Sequence, residues 1–213
     1  MSKKVVITGG MGDIAIALTD KLVSNGYTVL NPGRNELDVT SYLSVSNFFK
    51  INHMDILINN AGYINPSSFV ECDKLDWDKH FSVNVAGAFV CSKHAVRNGC
   101  SCIVNIGSSA GINGKKDWSA YCCSKRALSA LTECISLEGI SCISISPGRT
   151  DTKMRSMLYP GEDKTNLLTT SEFACAFFDI FSDFKKFNGM DIVVKKEYGL
   201  VEKFYFKGLK IYV

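Results

Sequence analysis

A tyrosine and a lysine four residues apart, Tyr121 and Lys125, are the side chains of this sequence best suited to acid–base chemistry. On a helix, residues four apart share one face, so the ammonium can lie beside the phenol. A nearby positive charge favours the phenolate and lowers the phenol pKa. A tyrosine tuned in this way can donate or accept a proton near neutral pH. The spacing is also that of an ordinary exposed helical pair, so the motif needs support from the rest of the sequence.

A glycine-rich segment, Thr8 to Ala15, supplies the first support. It follows a short apolar run that predicts a buried strand, and it precedes a stretch with apolar residues every four positions, which predicts a helix. Asp13 is suited to cap that helix. Glycines let the backbone approach a pyrophosphate, and a helix N-terminus attracts one. The alternative interpretation is a simple glycine turn.

Predicted strands and helices alternate along almost the whole sequence. Apolar runs predict strands at 5–7, 27–30, 56–58, 102–106, 140–145 and 190–194, the last of them closing the sheet. This alternation is typical of an α/β fold, a doubly wound parallel sheet with helices on both faces. Without repeats or linkers, we expect one domain spanning residues 1–213.

Two stretches need separate predictions. The apolar stripe of Phe81, Val85, Ala88 and Phe89 predicts that the stretch from Trp77 to about Val96 is helical. By contrast, only seven residues separate Leu30 from Asp38, too few for a parallel crossover with its helix. We therefore expect a short extended link and a weak or absent strand near 36–39, a reduced edge region after the second strand.

Composition narrows the functional class. The chain has 213 residues, 46% hydrophobic and 21% charged, which is typical of a globular protein, and a net charge of +3 is too small to indicate a nucleic-acid or membrane partner. No apolar run resembles a signal peptide or a membrane span. The nine cysteines show no zinc-binding spacing, and we expect reduced core thiols and no metal. These features predict a soluble, cytoplasmic protein.

Several motifs together resemble the short-chain dehydrogenase/reductase family. They occur in the order typical of that family: Thr8-Gly9-Gly10-Met11-Gly12-Asp13-Ile14-Ala15, Asp38-Val39-Thr40, Asn59-Asn60-Ala61-Gly62, Asn84, Ile106-Gly107-Ser108, Tyr121-x-x-x-Lys125 and Pro147-Gly148-Arg149-Thr150-Asp151-Thr152. The resemblance implies a Rossmann-type fold and hydride transfer with NAD(H) or NADP(H), interconverting an alcohol and a carbonyl.

The resemblance also implies roles for four residues. Tyr121 would be the general acid/base, and Lys125 would lower its pKa and hold the nicotinamide ribose. Ser108, 13 residues before Tyr121, would hydrogen-bond the substrate oxygen, with Ser109 as a less well spaced rival. Asn84 would support a water that links Lys125 to solvent.

Further residues would hold the cofactor. Besides Tyr121 and Lys125, those implied by the resemblance or its motifs are Gly9, Met11, Gly12, Asp13, Ile14, Arg34, Asp38, Val39, Asn60, Ala61, Gly62, Pro147, Gly148, Thr150 and Thr152. Asp13 departs from the family pattern, which usually has glycine there, and a carboxylate near the pyrophosphate could weaken binding.

Cofactor choice depends on the end of the second strand. NAD-preferring members commonly place an acid there to hold the ribose 2′-hydroxyl. Here no acid stands at that place, and Arg34 could pair with a 2′-phosphate, although Glu36 lies close. We therefore predict NADP, with NAD as the alternative.

Substrate and assembly are less strongly indicated. The segment 153–168 would cover the substrate, and its basic residues Lys153, Arg155 and Lys164 could favour an anion or be a solvated surface. The aromatic tail, with Phe204, Tyr205, Phe206 and Tyr212, predicts a homodimer or homotetramer. Two other functions stay open: an NAD(P)-binding sensor or scaffold without turnover, and an epimerase or dehydratase.

Overall fold

One sheet organises the protein. The computed structural model describes the backbone of residues 2–207 and 210–212. The described strands are β1 (Lys4–Ile7), β2 (Thr28–Leu30), β3 (Ile56–Asn59), β4 (Cys102–Ile106), β5 (Cys142–Pro147), β6 (Asp191–Glu197), β7 (Leu200–Lys207) and β8 (Lys210–Tyr212). Their order is β2-β1-β3-β4-β5-β6-β7-β8, with parallel pairing as far as β6 and antiparallel pairing beyond it.

Helices cover both faces of this sheet, as predicted. They are α1 (Asp13–Ser24), α2 (Tyr42–Ile51), α3 (Lys74–Phe81), α4 (Ala88–Arg97), α5 (Ser119–Leu137), α6 (Lys153–Leu158) and α7 (Thr170–Ser182). Helices α1 and α7 share one hydrophobic core with the sheet, and α2 and α4 share a second core on the opposite face. None of the described helices combines the length and the apolar character needed to cross a membrane.

The side chains of β1 point alternately to the two faces of the sheet, and because they are apolar on both faces, both must be covered by helices. Val5 and Ile7 belong to the core under α1 and α7, whereas Val6 belongs to the core under α2 and α4. A strand that is buried on both faces reads as a continuous apolar run. The described residues 31–41 contain no strand, so the prediction of a reduced edge region after β2 is confirmed.

The prediction of a helical stretch from Trp77 to about Val96 is confirmed, but the predicted apolar stripe is not kept along all of it. The segment begins at Lys74 and contains a π-helical turn, Ser82–Gly87, between α3 and α4. A π turn adds a residue to the helical repeat, so side chains after it rotate away from the expected stripe. Ala88 remains buried, but Phe89 is 48% exposed.

The predicted last strand at Met190–Val194 is also corrected, because the sheet continues through a hairpin. Tyr198 and Gly199 connect β6 to β7 with φ angles of 50° and 80°. Positive φ at both central residues is the requirement of a type I′ turn, which matches the twist of antiparallel strands. Part of the aromatic tail is thereby used within the chain, since Tyr205 stacks on Phe187 at 5.3 Å. The side chain of Tyr212 lies outside the described part.

Two adjacent glycines allow β1 to turn into α1. Gly9 has a φ of 66°, and a Cβ at this position would lie 2.9 Å from the Cα of Ala61. A Cβ on Gly10 would lie 1.9 Å from the carbonyl oxygen of Asn31. Backbone atoms crowd both positions, so the loops after β1, β2 and β3 meet without room for side chains.

We predict that Gly10→Ala destabilises the fold. The added methyl group must displace the backbone at Asn31, and overpacking of this kind costs about 1–3 kcal/mol. Thermal denaturation of the purified protein measures the loss. Gly114→Ala is the matched control, since a Cβ at Gly114 meets no atom within 4 Å. Equal melting temperatures for the two variants would contradict the crowding at Gly10.

Candidate active site

The carboxyl ends of the parallel strands open into a cleft of about 710 Å³. All of the residues predicted to hold the cofactor line it, except for Gly148 and Thr150: Gly9, Met11, Gly12, Asp13, Ile14, Arg34, Asp38, Val39, Asn60, Ala61, Gly62, Tyr121, Lys125, Pro147 and Thr152. Gly148 instead donates its N–H to Val194, at 2.8 Å, and Thr150 forms an isolated bridge with Leu168. The cleft therefore gathers residues that are distant in the sequence.

Thr8 holds the glycine turn against the end of β3. Its hydroxyl accepts the N–H groups of Asn60 and Ala61, both at 3.0 Å. The Asn60 amide donates back to the Thr8 carbonyl at 3.0 Å. These reciprocal hydrogen bonds set the width of the cleft between the turn and β3.

The expectation that Asp13 caps α1 is wrong. The N-cap is Gly12, which makes no side-chain capping bond, and Asp13 is the first helical residue. Its carboxylate accepts the backbone N–H of Lys153 at 2.6 Å, and the Lys153 ammonium lies 3.8 Å from it. Asp13 thus ties the glycine turn to the start of α6.

Tyr121 and Lys125 lie on α5 at the floor of the cleft. Lys125 is only 5% exposed, and its Nζ donates to the carbonyl oxygen of Ile106 at 2.8 Å. The same Nζ is 5.9 Å from the centre of the Tyr121 ring. Burial lowers the pKa of Lys125 to about 8, and the charge of Asp191 opposes this shift. The ammonium is therefore held by a carbonyl group and keeps its proton near neutral pH.

The expected lowering of the Tyr121 pKa by Lys125 is not found. Burial raises the pKa of the phenol to about 12, and the hydrogen bond with the Ser108 hydroxyl opposes that shift. Desolvation disfavours the phenolate, and the ammonium points to Ile106 rather than to the phenol oxygen. Of the two candidate serines, Ser108 is thus the one whose hydroxyl influences the phenol pKa.

Asn84 lies in the π-helical turn and connects three parts of the site. Its side-chain oxygen accepts the Tyr63 N–H at 2.7 Å. Its amide nitrogen donates to the Tyr63 carbonyl and to the Ser124 hydroxyl, both at 2.9 Å. Short π-helical turns often occur at functional sites, where they change the direction of a side chain. Here the turn aims Asn84 at the loop after β3 and at α5.

The sequence predictions missed Tyr63, which lines the cleft. Its hydroxyl donates to Asp76 at 2.7 Å, and its ring lies 4.8 Å from that of His80. His80 is fully buried and meets the Tyr121 ring edge to face at 6.4 Å. The only sequence signal was position, since Tyr63 directly follows the Asn60-Ala61-Gly62 motif.

Arg34 lies at the outer end of the cleft with a side chain that is 77% exposed. It contacts Asp38 at a long 3.4 Å. Glu36, the potential competitor, instead accepts the Gly33 N–H at 2.9 Å. An exposed, loosely paired guanidinium remains able to meet an anion.

The cations of the segment 153–168 are neutralised within the chain. Each pairs with an acidic side chain: Lys153 with Asp13 at 3.8 Å, Arg155 with Glu162 at 2.5 Å and Lys164 with Asp151 at 2.7 Å. These pairs remove the main reason for expecting an anionic substrate from this segment.

Two aromatic side chains lie next to Tyr121. Tyr159, just after α6, stacks on Trp118 at 6.2 Å, and Trp118 meets Tyr121 edge to face at 5.6 Å. The stack brings the end of α6 against the N-cap of α5, and it places an aromatic surface beside Tyr121.

Comparison with known proteins agrees with this geometry. The sequence profile of the family described as short chain dehydrogenase matches residues 36–163, more than half of the chain. A 3beta-hydroxysteroid dehydrogenase of Mediterraneibacter gnavus is 29% identical over 186 residues, which cover 71% of this chain and 67% of the relative. A 2,3-dihydro-2,3-dihydroxybenzoate dehydrogenase of Escherichia coli is 35% identical over 118 residues, 52% of this chain and 48% of the relative.

Solved structures show the same fold. ElxO with NADP bound superposes with a TM-score of 0.80 at 24% identity, covering 91% of this chain and 97% of that chain. At this identity the likeness speaks for the fold, and the profile match speaks for the family. The chain belongs to the short-chain dehydrogenase family of NAD(P)-dependent oxidoreductases.

Proposed function

We propose that this protein interconverts an alcohol and a carbonyl with NADP(H), and that Tyr121 moves the proton. The observation that carries the proposal is the position of Tyr121 and Lys125 together at the floor of the cleft, with the Ser108 hydroxyl close enough to oppose the rise of the Tyr121 pKa. A half-buried phenol with a serine hydroxyl and an ammonium nearby is suited to general acid/base chemistry. The substrate would be a small molecule that fits beside the Trp118–Tyr159 stack.

The residues present fit the cofactor. The first turn of α1 has no side-chain cap, so its N–H groups remain able to bind a pyrophosphate. A Cβ on Gly62 would lie 3.8 Å from Lys125 Nζ and 3.6 Å from the Asn84 oxygen, so the missing side chain leaves room for a ribose. Asp38 and Val39 would border the adenine, and Pro147 and Thr152 the nicotinamide. A bound nicotinamide would supply or accept the hydride.

The protein's own part in the reaction is proton transfer and charge stabilisation. At neutral pH the Tyr121 phenol carries its proton, because its pKa is about 12, and it can donate that proton to a carbonyl oxygen. The phenolate left behind would be stabilised by the Ser108 hydroxyl and by the charge of Lys125. Near neutral pH the phenol is thus ready for the proton-donating half of the reaction.

NADP(H) is preferred over NAD(H) in this proposal because of Arg34. The guanidinium is exposed at the cleft and only loosely paired with Asp38, so a 2′-phosphate can compete for it. Glu36 does not oppose the phosphate strongly, since its carboxylate is engaged by the Gly33 N–H. The known structure of ElxO holds NADP, which agrees with this choice.

Assembly as a homodimer or homotetramer is the last part of the proposal. Phe89 of α4 and Leu137 of α5 expose apolar surface, which often marks an interface. Sedimentation of the purified chain at several concentrations tests this part, and a monomer at all of them would contradict it.

The sensor or scaffold alternative predicts cofactor binding without turnover. Its support is Asp13, the reduced region after β2 and the short segment 153–168. Of these, the Asp13 carboxylate is engaged by Lys153 rather than directed freely at a pyrophosphate. A screen of carbonyl compounds with NADPH separates the two functions. Binding of NADPH without oxidation by any carbonyl would favour the alternative.

We predict that Tyr121→Phe lowers turnover about 10²–10⁴-fold, the usual contribution of a general acid. NADPH binding, measured by nicotinamide fluorescence, should change little because the ring remains. Tyr198→Phe is the control, since Tyr198 is 98% exposed on the β6–β7 turn. If Tyr121→Phe reduced a carbonyl substrate as fast as the unmodified protein does, Tyr121 would not be the general acid.

We predict that Arg34→Gln weakens NADPH binding about tenfold and leaves NADH binding unchanged. A hydrogen bond to a charged group contributes about 1.5–3 kcal/mol to the free energy of the state that contains it. We expect a value at the lower end for the bond between Arg34 and the 2′-phosphate, because the Arg34 side chain is largely exposed. Fluorescence titrations with both nucleotides measure the change. Arg97→Gln, an exposed arginine on α4, is the control. Tighter binding of NADH than of NADPH by the unmodified protein would overturn the cofactor choice.

We predict that Asp13→Ala loosens the segment 153–168. Loss of the bond to the Lys153 N–H removes its tie to α1, and cleavage by trypsin within the segment should become about tenfold faster. The cleavage sites are identified by mass spectrometry. Asp20→Ala, on the exposed side of α1, is the control. Unchanged cleavage would mean that the Asp13 contact does not hold α6.

A further inference from the structure

A buried carboxylate lies close to the site and has no part in the function proposed so far. Asp191, the first residue of β6, is 4% exposed. It pairs in register with Ser144 of β5 and accepts a hydrogen bond from the Ser146 hydroxyl at 2.6 Å. A buried carboxylate is costly unless it is paired and hydrogen-bonded, so its presence here calls for a physical reason.

The polar group around Asp191 occupies one side of β5. Ile143 and Ile145 face the core under α1 and α7, so Ser144 and Ser146, which alternate with them, face α5. Ser144 is fully buried, and its hydroxyl oxygen makes no hydrogen bond of ordinary geometry among the described residues. Polar side chains in this position form a layer between the sheet and α5.

This polar layer lies directly under the backbone that holds the catalytic groups. A Cβ on Gly107 would lie 2.0 Å from the Ser146 hydroxyl and 2.8 Å from that of Ser144. Gly107 stands between Ile106, whose carbonyl accepts a hydrogen bond from the Lys125 ammonium, and Ser108, whose hydroxyl opposes the rise of the Tyr121 pKa. The absent side chain is what lets the serine hydroxyls approach this strand end.

Helix α5 provides a second connection to the same carboxylate. Ser129 follows Lys125 by four residues, so both lie on one face of the helix. The Ser129 hydroxyl is close enough to Asp191 to oppose the rise of the Asp191 pKa. The carboxylate therefore lies beside the Lys125 face of α5, and its hydrogen bond with Ser146 connects it to the strand end beneath Lys125.

The buried charge of Lys125 gives a physical reason for the nearby carboxylate of Asp191. No carboxylate among the described residues lies within 4 Å of Lys125, so its buried charge has no direct ion pair. Burial lowers the pKa of Lys125 and raises that of Asp191, and each charge opposes the shift of the other. The remaining titratable groups near Lys125 are the neutral Tyr121 phenol and His80 behind it.

We propose that Asp191 is a positioning residue that keeps Lys125 in its charged form from beneath α5. The serine layer supplies the hydroxyl groups that let the carboxylate remain ionised while buried. The use of the Lys125 charge in turnover rests on the function proposed above, but the pairing of the two charges does not.

The test is a direct titration of Lys125 in the cofactor-free protein. Lysine labelled with ¹³C and ¹⁵N reports the charge of each ammonium by NMR, and Lys125→Arg assigns the resonance. In Asp191→Asn the pKa of Lys125 should fall by about one unit relative to the unmodified protein, because an opposite charge nearby typically shifts a pKa by at least that amount. In an active enzyme, the alkaline limb of the pH profile should move to lower pH by the same shift.

Asp179→Asn is the matched control, since Asp179 pairs with Lys203 on the surface at 3.0 Å and its loss should leave the Lys125 pKa unchanged. An unchanged Lys125 pKa in folded Asp191→Asn would overturn the proposal. If that variant does not fold, the titration of the unmodified protein tests the proposal. Two coupled groups titrate in two steps, so the Lys125 resonance should show a second inflection at lower pH, where Asp191 takes up its proton. A single-step curve would overturn the proposal. Because no cofactor or turnover is required, failure here is separate from failure of the proposed function.

Discussion

Burial of one ammonium group, that of Lys125, sets the requirements that the rest of the site meets. Taking a charge out of water is costly, and here burial lowers the pKa of the group to about 8. Two groups stabilise the charged form of Lys125: the Ile106 carbonyl oxygen, which accepts a hydrogen bond from Nζ at 2.8 Å, and the more distant charge of Asp191. Gly62 leaves the space above the ammonium open, because a side chain there would approach it. The strand ends, α5 and the loop after β3 are thus all arranged around the same atom.

Close backbone approach, rather than side-chain packing, brings the elements of the site together. Gly9 and Gly10 let the ends of three strands meet, and Gly107 lets the hydroxyl groups of β5 lie against β4. In each case the nearest atom to a hypothetical Cβ is backbone or a buried polar group, so no small shift could admit a side chain. The glycine motif is consequently as much a condition of the fold as it is a binding surface, and the two roles cannot be separated by inspecting the sequence alone.

Sequence reasoning located the cleft because motifs at the ends of parallel strands must converge at one edge of the sheet. It failed where a short-range pattern hid a change of geometry. The π-helical turn around Asn84 moved Phe89 out of the expected stripe, and Tyr198-Gly199 formed a hairpin turn without the more familiar asparagine. Asp13 resembled a cap by type, but its partner is 140 residues away at Lys153, and no local rule reveals such a contact. The alternation of isoleucine and serine in β5 was visible, yet its meaning required the neighbouring strand.

The protonation of the Tyr121–Lys125 pair follows from burial more than from proximity. A spacing of four residues on a helix suggests that the ammonium stabilises the phenolate, but desolvation disfavours both charged forms and shifts the two pKa values in opposite directions, to about 12 and about 8. Near neutral pH the phenol of this pair is therefore uncharged, and the ammonium beside it is stabilised by the Ile106 carbonyl and by the charge of Asp191. A phenol in this state has a proton to give, whereas accepting one requires the phenolate that burial disfavours. The protonation state of the phenol near neutral pH is thus decided by the same low polarity that makes Lys125 depend on its acceptors.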